Sequence, residues 1–333
     1  MTAIRGNTGK PAVVFIHGLG MDKSIWESPE ESRILGGRLP LSLLLTKEPE
    51  PETVKDVSKH NEVSTGFLLG DTPHNLTTLF HKLRDHGYTV IVWSQQRPAA
   101  ETAIAVSELR AVLAKHDLYC RSGIILVGHS RGGLVARRYL KEGDSRVRAL
   151  ITLATPHKGS GMARWVKYMA PLASVINPLL SASEKGTLKN TMKRIFDFLE
   201  SAAVKELLPE SPLFQTLEDS RVAGVYYLSF GGNSPTLFSL YRRVLDRVQY
   251  GDTERCILKA RRVFSLPDVF ETIIPEGLYP DEMKRGRGDG LVSVESSRIP
   301  WADDHFVFDV NHAGILFDER VKDKVVEILG DME

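Results

Sequence analysis

A serine stands at the centre of Gly128-His129-Ser130-Arg131-Gly132-Gly133, directly behind the apolar run Ile124-Ile125-Leu126-Val127. The pattern reads as a strand feeding a G-x-S-x-G turn, with a helix behind it through Leu134, Val135, Tyr139 and Leu140. A turn this sharp drives its central residue into strained backbone angles and exposes its hydroxyl. Glycine at 128 and 132 leaves room that a Cβ would fill. Ser130 would also open the following helix, where developing negative charge is favoured. The bland alternative is an ordinary Gly/Ser turn, and the strand before and helix after weigh against it.

A serine hydroxyl is a weak nucleophile at neutral pH. It needs a base within hydrogen-bond reach, and the base needs an orienting carboxylate. The partners should follow in the order Ser, Asp/Glu, His. His312, in Asn311-His312-Ala313-Gly314, follows the strand-like stretch 306–310 and precedes a closing helix, so it is the candidate base. His305 is a weaker rival, inside or just before that strand. Asp289, in Gly288-Asp289-Gly290-Leu291-Val292, is the candidate carboxylate, because flanking glycines permit a turn that aims it. Asp303, Asp304 and Asp309 lie too near His312 to compete. An oxyanion would need two backbone N–H groups. Arg131 supplies one, and Leu19 in His17-Gly18-Leu19-Gly20 the other, with Gly18 next in line. No Gly-Lys-Ser/Thr or G-x-G-x-x-G follows, which removes a phosphate loop. No cofactor and no metal are expected.

The elements that must position these groups alternate. Strands are expected at 13–16, 88–93, 124–127, 147–153 and 222–230, the last ending in Gly231-Gly232. Helices are expected through Leu76, Leu79, Phe80 and Leu83 with Asn75 as N-cap, over 101–116, over 131–141, and through Val321, Val325, Ile328 and Leu329. Strand–helix–strand order argues for a mostly parallel sheet covered on both faces. Three stretches break the pattern. Residues 27–72, with Lys47-Glu48-Pro49-Glu50-Pro51-Glu52, read as a loop insertion. Residues 162–208 are helical in tone, with apolar Met162, Trp165, Met169 and Leu172 against scattered lysines. Residues 233–285 read as irregular, and their basic run Arg242-Arg243, Arg247, Arg255, Lys259, Arg261-Arg262 as a solvated helix face. The division is a core of 1–161 and 209–333 with two insertions, 27–72 and 162–208.

The chain has 333 residues at 42% hydrophobic content, enough for one large α/β domain with an insertion. Its 43 Lys+Arg against 42 Asp+Glu give +1, with no pointer to nucleic acid or a membrane surface. Pro171, Pro178 and Lys167 interrupt the apolar stretch 165–182, so no stable membrane insertion is expected. Two cysteines, Cys120 and Cys256, fit free thiols in a reducing compartment, and with no visible signal peptide the expectation is cytoplasmic, unless a leader has been removed. Oligomeric state is not legible.

The pieces His17-Gly18-Leu19-Gly20, Gly128 to Gly133, Leu153-Ala154-Thr155-Pro156-His157-Lys158-Gly159-Ser160, Gly288 to Val292 and Asn311-His312 together resemble α/β-hydrolases of the lipase and esterase branch. The Thr-Pro-His-x-Gly-Ser piece is similar to bacterial triacylglycerol lipases and to esterases related to GPI-inositol deacylases. The resemblance implies an α/β-hydrolase fold, a mostly parallel sheet under a helical lid, and ester hydrolysis through an acyl-enzyme on hydrophobic, small-molecule or lipid esters. It implies a structural His157. It also implies that the two leading antiparallel strands of larger members are missing, and that calcium is not bound, because Gly314 stands where related lipases carry Asp two residues after the catalytic histidine. Asp303-Asp304-His305 is expected to be a surface turn. The lid residues Met162, Trp165, Met169 and Leu172 would line an acyl pocket, or else simply cap the core. An acyltransferase or thioesterase with the same triad, and a hydrolase fold used only for binding, remain open.

Overall fold

The computed structural model describes residues 1–34, 39–45, 47–54, 67–68, 71, 73, 76–165, 201–217, 220–250, 253–266, 268, 271 and 279–332. Thirteen strands occur among these residues. They are β1 (Thr2–Ile4), β2 (Ala12–Ile16), β3 (Arg33–Ile34), β4 (Leu39–Pro40), β5 (Glu52–Val54), β6 (Phe67–Leu68), β7 (Thr89–Val92), β8 (Ile124–His129), β9 (Val147–Leu153), β10 (Tyr226–Gly232), β11 (Phe238–Tyr250), β12 (Thr253–Leu266) and β13 (Asp304–Phe308). Seven of them form the main sheet, in the order β1-β7-β2-β8-β9-β10-β13. All its pairings are parallel except β1 with β7.

The apolar runs become strands because both of their faces are covered. In β2, Val13 and Phe15 join one core cluster, while Ala12, Val14 and Ile16 join the other. The first cluster takes in α1 (Ser24–Glu27), α2 (Leu79–Asp85) and the closing helix Glu319–Asp331. The second packs under α3 (Thr102–Lys115) and α4 (Arg131–Leu140). The strand order turns back at β2, whose neighbours β7 and β8 lead away in opposite directions. In open parallel sheets the crevice at such a switch point, beyond the carboxyl ends of the strands, is where ligands bind.

Four expectations need correction. Asn75 lies outside the described residues, and the N-cap of α2 is Thr78, in a capping box with His81. An antiparallel leading strand is present: Thr2, Ala3 and Ile4 pair with Val92, Ile91 and Val90. Asp304 and His305 belong to β13 rather than a surface turn. Finally, the basic run is no helix. It lies on the hairpin β11–β12, which pairs with β5 on one edge and β6 on the other, so parts of the two irregular stretches 27–72 and 233–285 build a second, four-stranded antiparallel sheet. Cys120 is a free, buried thiol, pushed up to about 11 by burial, and the side chain of Cys256 is outside the described set. Among the described residues no helix is long and apolar enough to cross a membrane.

Phe15 is the centre of the first core cluster, its ring 5.0 Å from Trp26 and 5.6 Å from Phe80. Phe15→Ala should cost ~3–5 kcal/mol of unfolding free energy, read from urea denaturation.

Candidate active site

Ser130 sits between β8 and α4 at φ 53° and ψ −130°, one of two non-glycine residues with positive φ among those described. Such backbone costs about 1–3 kcal/mol and persists only when its surroundings leave no alternative. Here they leave none. A Cβ on Gly128 would collide with the Gly133 amide, one on Gly132 with the Ile16 carbonyl, and one on Gly133 with Thr155. The Ser130 amide donates to Leu153 O at 2.8 Å, and the Gly133 amide donates to Ser130 O at 3.0 Å. Strand, turn and helix are thus clamped together, and Ser130 is buried to 8% exposure.

The other predicted residues arrive from loops beyond the strand ends. The His312 amide donates to Asp289 O at 3.0 Å, and its Nδ1–H donates to Asp289 Oδ2 at 2.9 Å. Both side chains are buried. The other carboxylate oxygen of Asp289 accepts the amides of Leu291 at 3.0 Å and Val292 at 2.7 Å. Gly290 makes this turn with φ +98°, and a Cβ there would run into Leu237 at 2.5 Å. With Nδ1 donating to the carboxylate, a neutral His312 keeps Nε2 as its lone-pair nitrogen.

His129 joins the imidazole to the serine turn. Its ring lies 4.9 Å from that of His312, and its Nε2–H donates to the His312 carbonyl at 3.0 Å. Its Nδ1 has no partner among the described residues. Burial pushes His129 down to about 3, with the neighbouring His312 adding to the effect, so it stays a neutral donor.

The loop after β2 approaches from the opposite side. A Cβ on Gly18 would stand 3.0 Å from Ser130 Cβ, so glycine lets this loop touch the turn. The amides of Leu19 and Arg131 donate to no protein group among the described residues. The loop is held by His17, whose Nε2 accepts from the Gln95 amide at 3.0 Å and whose Nδ1–H therefore donates to Gly18 O at 2.9 Å. Burial lowers His17 to about 4. The buried Arg131 guanidinium donates to Gln95 Oε1, Pro98 O and Ala100 O at 3.3, 3.2 and 2.5 Å, tying the loop after β7 to the same place. Burial lowers it to about 10, still a cation at neutral pH.

His305 does not join this group. Its Nδ1 pairs with Ser229 at 2.8 Å within the sheet. His157 is buried, paired through Nε2 with Thr152 at 3.1 Å, and burial holds it well below the usual range. Met162 is buried in α5 (Met162–Trp165), the Trp165 side chain is not among those described, and Met169 and Leu172 lie outside the described residues. Among the described residues no group of three or more His, Cys, Asp or Glu could hold a metal. Sequence reasoning missed His129, Gln95 and the positioning part of His17. The available signal was a histidine beside glycine at each of two strand ends.

A family model for PGAP1-like alpha/beta domains matches residues 103–195. No curated protein matches the chain by sequence. Among solved structures, the propeptide form of Bacillus licheniformis lipase BlEst2 superposes with a TM-score of 0.50 at 16% identity, covering 98% of this chain and 53% of that one. Its mature form gives 0.49 at 16%, covering 98% and 97%. A Paleococcus ferrophilus monoacylglycerol lipase gives 0.42 at 15%, covering both chains fully, 100% each. The chain shares its fold with the propeptide form of BlEst2, an α/β-hydrolase fold built on a mostly parallel sheet.

His17, His129, His157 and His305 all fall below the usual 6.5, to about 4, about 3, well below and about 4, each chiefly by burial. In the unfolded chain they would titrate normally. Below 6.5 the unfolded chain therefore binds protons that the fold refuses, and stability falls as pH drops toward 4. Each histidine steepens that loss by up to ~1.4 kcal/mol per pH unit. The urea midpoint should drop from about pH 7 to about pH 5, and replacing His305 with Gln should flatten the slope.

Proposed function

We propose that this chain is a serine hydrolase of carboxylic esters that works through an acyl-enzyme, with hydrophobic acyl esters as substrates. The observation that carries the reading is the buried Asp289–His312 pair, 2.9 Å apart, held against the strained Ser130 turn by the His129 ring. A carboxylate paired with an imidazole, on a loop tied to the turn that carries a strained serine, is the arrangement that serves nucleophilic attack on acyl carbon. The fold shared with the lipase BlEst2 supports the same class.

In this reading the Ser130 hydroxyl attacks the ester carbonyl as its proton passes to His312 Nε2. Asp289 keeps the tautomer and stabilises the imidazolium. The free amides of Leu19 and Arg131 receive the oxyanion, each worth about 2.7–4 kcal/mol of barrier. His312 then protonates the leaving alcohol. Water, activated by the same nitrogen, attacks the acyl-enzyme and releases the acid, which restores Ser130. No step calls for a metal or an organic cofactor. Selectivity for hydrophobic acyl groups is assigned to the segment 162–208, whose apolar residues include Met162, Trp165, Met169 and Leu172.

His129 is a positioning residue in this scheme. It holds the backbone of the base while never titrating near neutrality. His129→Leu should lower kcat by ~10- to 100-fold with KM little changed, and His129→Gln, which keeps a donor, should recover most of it. A parallel rise in KM for both variants would argue for a general packing defect.

The main test is a panel of p-nitrophenyl esters from acetate to palmitate. Ser130→Ala should lower kcat by roughly 10⁴- to 10⁶-fold, and Asp289→Asn by about 10⁴-fold. Unchanged turnover in Ser130→Ala would end the reading.

A further inference from the structure

The basic hairpin is left unused by the chemistry above. Residues 238–266 carry seven Lys/Arg against three Asp/Glu, in a chain whose net charge is only +1. Their placement is unusual. Arg242 and Arg261 are directly opposed across β11 and β12, on one face of the ribbon. Like charges facing each other in this way destabilise a sheet. Arg243, opposite Ala260, and Arg262, opposite Tyr241, are diagonal neighbours on the other face. All four arginines are exposed. Arg262 reaches Asp268 only at 3.9 Å, and Arg242, Arg243 and Arg261 have no carboxylate partner among the described residues. Lys259, by contrast, is neutralised by Asp246 at 3.2 Å. A fold that concentrates uncompensated guanidinium groups at one level of a ribbon is suited to an external anion.

We propose that this ribbon binds the surface of anionic phospholipid membranes. The residues between the cations decide the class of polyanion. Val244 and Leu245 are partly exposed beside the arginines, and Val263 is 51% exposed. Aliphatic side chains among arginines suit an interface in which guanidinium groups meet phosphate while the apolar atoms enter the headgroup boundary. Duplex nucleic acid would engage the same guanidinium groups through its phosphates but would leave the exposed aliphatic side chains between them without a partner.

The root of the ribbon links it to the site. Leu237, just before β11, fills the space beside Gly290, one residue from Asp289. Thr236 O accepts from Asn311 Nδ2 at 2.8 Å, one residue from His312. A membrane held by the ribbon is therefore held by a segment that begins at the carboxylate and imidazole loops. The binding itself does not depend on the reaction assigned to Ser130.

Sedimentation of the full chain with phosphatidylcholine vesicles, with and without phosphatidylserine, tests this. The chain should sediment with the phosphatidylserine vesicles alone and be released by high salt. The double substitution Arg242→Gln with Arg261→Gln should weaken that partition by about 30-fold. Its thermal midpoint should be unchanged or raised, because a like-charge pair is removed, and hydrolysis of a short soluble ester should persist. Arg243→Gln with Arg262→Gln repeats the measurement on the other face should the first variant not fold. Equal sedimentation with both vesicle types, full binding by both double variants, or binding to duplex oligonucleotide with none to phosphatidylserine overturns the proposal. A chain inactive on esters that still sediments with phosphatidylserine would remove the hydrolase reading and leave this surface standing.

Discussion

Everything at the centre of this molecule depends on one crowded crossing of backbones. Where β8 turns into α4, the Ile16 carbonyl, the Gly133 amide and the Thr155 side chain occupy the space that Cβ atoms at 132, 128 and 133 would need. Three glycines allow the crossing, and the close packing they permit surrounds Ser130 at its positive φ. The strain is offset by burial on both sheet faces and by the amide bonds from Ser130 to Leu153 and from Gly133 to Ser130. The hydroxyl is therefore presented by the packing of the whole sheet rather than by any local preference of serine.

The groups around that turn are fixed by neutral hydrogen bonds more than by charge. His17 and His129 are buried imidazoles that use one N–H each to hold a backbone carbonyl, that of Gly18 and that of His312. Burial keeps both uncharged, which matters because an imidazolium at either place would bring a second cation beside the base. Arg131 is the exception. Its cation is accepted by two carbonyls and the Gln95 amide oxygen, with no carboxylate in contact among the described residues, so the charge serves to pin the loop after β7. Glu282, whose carboxyl is raised by burial, similarly accepts the Gly161 amide at 2.6 Å and so fixes the chain at the entrance to the 162–208 segment.

The sheet was legible in the amino-acid sequence because its strands are covered on both faces and read as unbroken apolar runs. The serine turn was legible because glycines at 128, 132 and 133 crowd around one serine between an apolar run and a helical face. Asp289 and His312 could be ordered after Ser130 by chain direction, and the structure pairs them with each other. The second sheet was not legible. β5 meets β12 through Thr53 and Ile257, and β6 meets β11 through Phe67 and Arg242, pairings that span far more chain than any periodicity window. Adjacent apolar pairs such as Val244-Leu245 and Ile257-Leu258 also imitate a helical face when the partner strand is unknown. Thr78 displaced Asn75 as N-cap because its hydroxyl also bonds Trp26 O at 2.6 Å, a tertiary contact that local propensity does not contain. Net charge concealed the arginine ribbon for a related reason: a sum over 333 residues says nothing about where the charges meet.

The two irregular stretches now acquire a common purpose. Asn311, the residue before His312, donates from Nδ2 to Leu44 O and to Thr236 O, both at 2.8 Å, while its Oδ1 accepts the Gly314 amide at 2.7 Å. Leu44 belongs to the first stretch, Thr236 to the second. One amide side chain thus joins both stretches to the loop that carries the imidazole. The loop is also held by the Asp289 contacts, the His129 bond and the burial of Ala313 and Ile315, and the Asn311 side chain adds the two stretches to these anchors. With 27–72 and 233–285 paired to each other through the second sheet, their carbonyls become fixed acceptors. The ordering of the base loop is then coupled to the same ribbon that displays the arginines.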